Sequence, residues 1–406
     1  MKRSIIYLLL LLSHWKVSAQ DRKITGRAVD AISDLPIELV NIFITNTTFG
    51  TTTDKNGNFS LAIPNGQYEV VVSMVGYEPL VHPITLSATD TKQNLVFVFQ
   101  LTPAQTELNA VSVKTKRDPE WYTNLEMFKE GFIGKSTIAS KCKLVNPETL
   151  IIVYDEKSNT LKVNAKDLLV IENPELGFRI SYLLIEYNYD YSSKYLTYLG
   201  YPLFELMKGK KNRERKWQKN RLKAYNGSAM HFVRTLRNEK LEEEGFNLRR
   251  LIRMPNPERP TEEQLQEARK QLAILGTDVP ITNDHPIGKL LSKASLPKII
   301  ETLDTTRVPY AQYIKKDGNA VQLAFDGFFQ VVYTGEKEEL AYVAAESMFR
   351  KRQPTFQTSV ISMKQDQVTL EQSGSLSDPL ALTFEGYWGW EKVGDMLPLD
   401  YQPEKQ

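Results

Sequence analysis

Between residues 23 and 101 the chain alternates short β-prone runs with turn residues, and that punctuation leaves few folds open to it. Residues 24–29, 39–44, 58–63, 67–73 and 94–101 are rich in Val, Ile, Phe and Thr. They are separated by Asp54-Lys55-Asn56-Gly57, Pro64-Asn65-Gly66 and Gly76, and Gly and Asn tolerate the positive φ that tight turns demand. Many short strands at this spacing predict a β-sandwich. Asp54, Asn56 and Asn58 have the start of a calcium loop, but Asn65 stands at its twelfth position, where an EF-hand needs an acid. A turn held by Asx side chains is the expectation there.

Five pieces of sequence narrow the fold. They are Gly26-Arg27-Ala28-Val29-Asp30, Val40-Asn41-Ile42, the run from Gly50 to Phe59, and Gly66-Gln67-Tyr68-Glu69-Val70 with Val75-Gly76-Tyr77-Glu78. In order and spacing they resemble the carboxypeptidase regulatory-like domain, a transthyretin-like sandwich common in envelope proteins of the Bacteroidota. Asp34-Leu35-Pro36 departs from the family pattern, in a loop. The resemblance implies a binding or scaffolding module at 22–102, not a peptidase. A zinc peptidase needs a His and a Glu close together plus a distant His. His82, His231 and His285 are followed three residues on by Thr85, Arg234 and Gly288. No metal and no cofactor is expected.

The first residues bear on location. Lys2 and Arg3 precede an apolar run to Leu12, and Val17-Ser18-Ala19 follows, so residues 1–19 read as a secretory signal peptide. That run is too short to cross a bilayer, which takes about 20 residues. No later stretch reaches such a length, so no transmembrane helix is expected. The expected location is the periplasm or the outer-membrane surface. The single cysteine, Cys142, excludes a disulfide framework. Its neighbours Lys141, Lys143 and Leu144 alternate in polarity, predicting a strand with a buried, inert thiol.

Residues 108–113 resemble the strand that follows this sandwich in TonB-dependent receptors, and 103–120 read as a linker. From 121 to 401 the expectation is one α+β domain, so the fold class is a β-sandwich followed by α+β. Strands are predicted at 150–154, 161–165, 178–189 and 194–204. Ser228 is expected to cap a helix with Ala229, Phe232, Val233 and Leu236 on one face and Gly245 at its stop. Thr261 and Gln264 form a capping box for a helix that buries Leu265, Ala268 and Leu272. Asp326-Gly327 predicts a hairpin between 320–325 and 328–333. Further strands are expected near 358–363 and 367–371.

Net charge is only +2, from 51 Lys and Arg against 49 Asp and Glu, which excludes a globally basic nucleic-acid binder. The sum conceals one basic stretch. Lys208, Lys210, Lys211, Arg213, Arg215, Lys216, Lys219, Arg221 and Lys223 face a single acid, Glu214. Lys211, Arg213, Arg215, Lys216, Trp217 and Arg221 are the candidate binding residues. Their partner would be an acidic envelope glycan, lipopolysaccharide or an acidic protein; nucleic acid is not expected for an exported chain. If the stretch is helical, Trp217, Arg221 and Tyr225 share a stripe and the Trp anchors it. The competing reading is a carboxylate hydrolase using Asp326 and Glu385, beside aromatic Tyr387, Trp388 and Trp390. His231, on an amphipathic helix, is expected to be structural.

Overall fold

Asn58–Ile63 is exposed and buried at alternate residues, as a strand with one face on a core must be. The computed structural model describes residues 22–86, 94–104, 118–275, 285–346 and 352–404. The expected signal peptide, the strand at 108–113 and most of the linker lie outside the described residues. The described residues divide into two compact units. One takes in those up to Ala224 and those from Glu391 onward; the other runs Tyr225–Trp390.

The first unit opens with seven strands: β1 (Arg22–Asp30), β2 (Asn41–Ile44), β3 (Gly50–Thr52), β4 (Asn58–Ile63), β5 (Gly66–Ser73), β6 (Leu80–Leu86) and β7 (Asn94–Leu101). They form two sheets, ordered β4-β1-β7 and β3-β2-β5-β6. Ile24, Ile42, Phe59, Val70, Val72 and Leu101 fill the space between them, giving the expected sandwich. β3 and β6 were not legible as strands: one has three residues, and the other contains Pro83. Asp54 accepts from the backbone N–H groups of Asn56 and Asn58 at 2.9 and 2.8 Å, which makes the acidic loop an Asx turn.

Helix α1 (Pro119–Phe132) starts within the segment read as linker. Asp118 caps it by accepting from the Trp121 N–H at 2.8 Å, and Pro119 takes the first turn, where its missing N–H costs nothing. Its buried Phe128 and Phe132 meet Tyr187 and Tyr182 of the next sheet edge-on. That sheet holds β8 (Lys143–Leu144), β9 (Leu150–Asp155), β10 (Thr160–Ala165), β11 (Leu169–Asn173), β12 (Phe178–Asp190) and β13 (Tyr195–Leu206). The long β12 is its centre, pairing with β10, β11 and β13. Helix α2 (Lys211–Tyr225) follows β13. Cys142 ends a single 3-10 turn, Ala139–Lys141, and is not in a strand. The side chain is half-buried, and desolvation pushes its thiol up to about 12, which keeps it in the protonated form.

The last residues of the chain return to this unit. The Asn173 side chain donates to the Gly394 carbonyl at 2.8 Å, and the Thr48 N–H donates to Asp400 at 2.9 Å.

The second unit contains α3 (Ala229–Arg237), β14 (Phe246–Pro255), α4 (Glu262–Leu275), α5 (Pro286–Ser292), β15 (Ile299–Leu303), β16 (Ile314–Asp317) and β17 (Ala320–Leu323). After these come β18 (Phe328–Lys337), α6 (Leu340–Glu346), β19 (Phe356–Met363), β20 (Val368–Thr369), β21 (Leu382–Gly386) and α7 (Tyr387–Trp390). One sheet is ordered β15-β14-β18-β19-β21 and a smaller one β16-β17-β20. Phe232, Leu236, Phe246, Phe329, Ile361 and Trp388 belong to its core. Ser228 caps α3 as expected, accepting from the His231 N–H at 3.1 Å. Thr261 and Gln264 exchange the two bonds of a capping box, at 2.9 and 3.2 Å.

Two expectations fail here. Helix α3 stops at Arg237, capped by Asn238, and Gly245, with φ 86°, serves the turn into β14 instead. Asp326-Gly327 does not close a hairpin. β17 pairs with β16 and β20, whereas β18 pairs with β14 and β19, so the turn carries the chain from one sheet to the other. The dipeptide encodes a local reversal, with Gly327 at φ 75°, but partner choice is set by tertiary packing.

Candidate anion-binding site

The connection between β11 and β12 is shaped by a buried asparagine. Asn173 accepts from the Leu176 N–H at 3.0 Å, and its carbonyl takes the Gly177 N–H at 2.8 Å. Gly177 has φ 69°, a conformation that disfavours a side chain. The result is a tight turn in which the Gly177 carbonyl takes the Met207 N–H at 3.0 Å and the carbonyls from Pro174 to Gly177 have room for further donors. Helix α2 supplies them.

The Trp217 indole N–H donates to the Pro174 carbonyl at 2.8 Å, and Asn220 donates to that of Glu175 at 2.8 Å. Arg221 donates through Nε to the Leu176 carbonyl at 2.7 Å and through a terminal nitrogen to that of Gly177 at 3.1 Å. The same guanidinium lies 4.2 Å above the Phe178 ring. Its partial burial lowers its pKa, while the nearby Tyr401 opposes the shift. Lys216 pairs with Glu175 at 2.8 Å. Trp217 is 3% exposed and Tyr225 7%. Trp217 and Arg221 of the stripe read from the sequence, joined by Asn220, therefore seat the helix on the turn and bond four consecutive carbonyls, whereas Tyr225 packs on His231.

The six candidate residues divide by position. Trp217 and Arg221 are used in anchoring, and Lys216 is exposed but paired with a carboxylate. Lys211, Arg215, Lys219 and Lys223 are exposed on the side of α2 away from Trp217; Arg213, one turn before Trp217, is exposed as well, and so are Lys208 and Lys210, which precede the helix. Asn220 and Glu175 were not singled out by the sequence, because no motif marks a helix residue that caps a distant turn.

The alternative carboxylates fall elsewhere. Both oxygens of Glu385 accept from Arg253, at 2.9 and 2.8 Å, and Arg253 also binds Glu301 at 2.8 Å. Asp326 is exposed in its turn. An open groove of about 490 Å³ on β10 and β12 contains one carboxylate, Glu186, where a glycosidase uses two. Tyr387 and Trp388 are buried, and the Trp388 indole donates to the Gly227 carbonyl at 2.7 Å, a packing role. His231 is buried and accepts from the Gly227 N–H at 3.2 Å, while His285 caps α5. No group of three His, Cys, Asp or Glu among the described residues is placed to hold a metal ion. No helix among them is long and apolar enough to cross a membrane.

The two-sheet order of β1–β7 can now be set against known families. Residues 24–113 match the CarboxypepD_reg-like domain. The regulatory-like domain is non-catalytic, and it accounts for the sandwich but not for α2 or anything after it. No curated protein matches the chain. Among solved structures, a group B streptococcus pilus 2b backbone protein is 15% identical over 21% of this chain and 42% of its own, with a TM-score of 0.19. The major pilin subunit of Bacillus cereus is 13% identical over 21% and 31%, also at 0.19. A DUF3823 family protein from Parabacteroides merdae is 10% identical over 46% and 82%, at 0.17. The chain thus spans less than half the length of the two pilin chains. Likeness this slight supports no structural inference.

Proposed function

We propose that this is an exported envelope protein that binds and does not catalyse. In this reading the regulatory-like domain is a scaffolding module, and α2 presents a cationic surface to an anionic envelope component. One observation carries it: a helix clamped by Trp217, Asn220 and Arg221 leaves Lys208, Lys210, Lys211, Arg213, Arg215, Lys219 and Lys223 exposed. Clamping fixes the cations on a rigid support, and like charges gathered on one surface raise the local concentration of anions. The periplasm or cell surface is the location this reading requires, and cell fractionation checks it.

The binding reading is tested by reversing Lys211, Arg215 and Lys219 to Glu and measuring sedimentation with purified lipopolysaccharide. Loss of co-sedimentation supports it. Undiminished binding by the reversed variant overturns it.

A further inference from the structure

Resting on the anion-binding reading, we propose that α2 takes a linear acidic polysaccharide lengthwise along the row Lys211, Arg215, Lys219 and Lys223. These four residues recur every fourth position of a continuous helix. At about 1.5 Å rise per residue they stand about 6 Å apart and span about 18 Å. Each step turns about 40° around the helix axis, so the row winds gradually along the side away from Trp217, Arg221 and Tyr225. All four are exposed, and Trp217, Asn220 and Arg221, which bond the 174–177 turn, lie on the opposite side of the helix.

The row is costly to the helix itself. Like charges at i, i+4 oppose helix formation, and Lys211 and Arg213 lie in the first turn, where the macrodipole favours acids. Glu214 is the only acid in the helix, and it lies outside the row. A helix built for stability alone would alternate its signs. The arrangement makes physical sense when an external anion neutralises the row.

The shape of the row selects the ligand. A lone phosphate is held by donors that converge on one point, and side chains spread over about 18 Å do not converge. A helix that lies on a bilayer buries an apolar face in it. Here Trp217 and Tyr225 are already buried in the protein and Leu222, the other large apolar residue of α2, is partly buried. A polymer with one carboxylate or phosphate per sugar offers anions in series. Each exposed ion pair is weak, so several must form together on one chain for useful affinity.

The test uses the full chain, polygalacturonate fragments of graded length, and anionic phosphatidylglycerol vesicles. Two variants remove the same charge. One carries Lys211→Gln, Arg215→Gln and Lys219→Gln within the row; the other carries Lys208→Gln, Lys210→Gln and Arg213→Gln outside it. Circular dichroism and melting temperature confirm that both fold. Calorimetry is expected to show about tenfold weaker polygalacturonate binding for the row variant and under threefold for the other. Wild-type affinity is expected to rise with fragment length and level off once the row is spanned. Equal losses in the two variants would overturn the lengthwise row while leaving anion binding in place. No loss in either variant overturns both readings. Vesicle binding without polygalacturonate binding overturns the polysaccharide and assigns the surface to lipid.

Discussion

The indole N–H of Trp217 donates to the carbonyl of Pro174 at 2.8 Å, joining α2 to a turn 43 residues earlier in the chain. The contact combines a buried aromatic side chain with a partly buried hydrogen bond to a main-chain carbonyl. Trp217→Ala removes both, and a truncation of this size costs about 3–5 kcal/mol. Urea unfolding is expected to register that loss. Trp217→Phe keeps most of the packing and is expected to lose only about 1 kcal/mol, from the hydrogen bond.

Gly177 tests the same seat from the other side. A Cβ there would lie 2.2 Å from the Trp217 ring, on a residue whose φ is 69°. Gly177→Ala therefore strains the backbone and displaces the indole together. The expected destabilisation exceeds about 1 kcal/mol. If Gly177→Ala melts like the wild type, the turn is not held as described.

Arg215 separates stability from binding. In place of Arg215, a glutamate would face Lys211 and Lys219 at i−4 and i+4, turning two repulsions into attractions. Arg215→Glu is expected to raise stability by about 1 kcal/mol while weakening anion binding. Thermal melts and binding measured on one preparation read both effects. A fall in both would show that the arginine has a structural role.

The end of the chain is tied to the sandwich through Asp400, which accepts from both the N–H and the hydroxyl of Thr48. Leu399 reinforces the tie by donating to the Asn46 carbonyl at 2.6 Å. Asp400→Ala is expected to cost about 1 kcal/mol and to speed hydrogen exchange at Thr48. Exchange unchanged at Thr48 would argue against the tie.

Turn chemistry made the sandwich legible, because Asn56, Gly57, Gly66 and Gly76 place the reversals, and β4 between two of them buries alternate residues. Caps were equally readable: Ser228, Thr261 and Gln264 act within one turn of where they stand. Failures came where the partner is distant. Asp326-Gly327 looks like a hairpin but hands the chain between sheets, since nothing local distinguishes β16 from β18 as the mate of β17. At the candidate site the basic composition was visible in the sequence. Its division into seat and surface was not, because that depends on the carbonyls of a turn about 45 residues away.

His231 provides a pH-dependent prediction. It is buried against Tyr225, Phe246 and Tyr333, and burial lowers its pKa below the usual 6.5, although the carboxylate of Glu244, 3.6 Å away, pulls the other way. With the folded-state pKa depressed, the unfolded chain binds more protons as the pH falls through about 6.5. Stability is therefore fully present above that pH and declines below it. Urea unfolding from pH 8 to pH 5 is expected to show a smaller decline for His231→Asn than for the wild type. Glu244→Gln removes the opposing influence and is expected to steepen the decline. A wild-type protein that grew more stable relative to His231→Asn on acidification would mean that the ion pair with Glu244 outweighs burial, reversing the assignment.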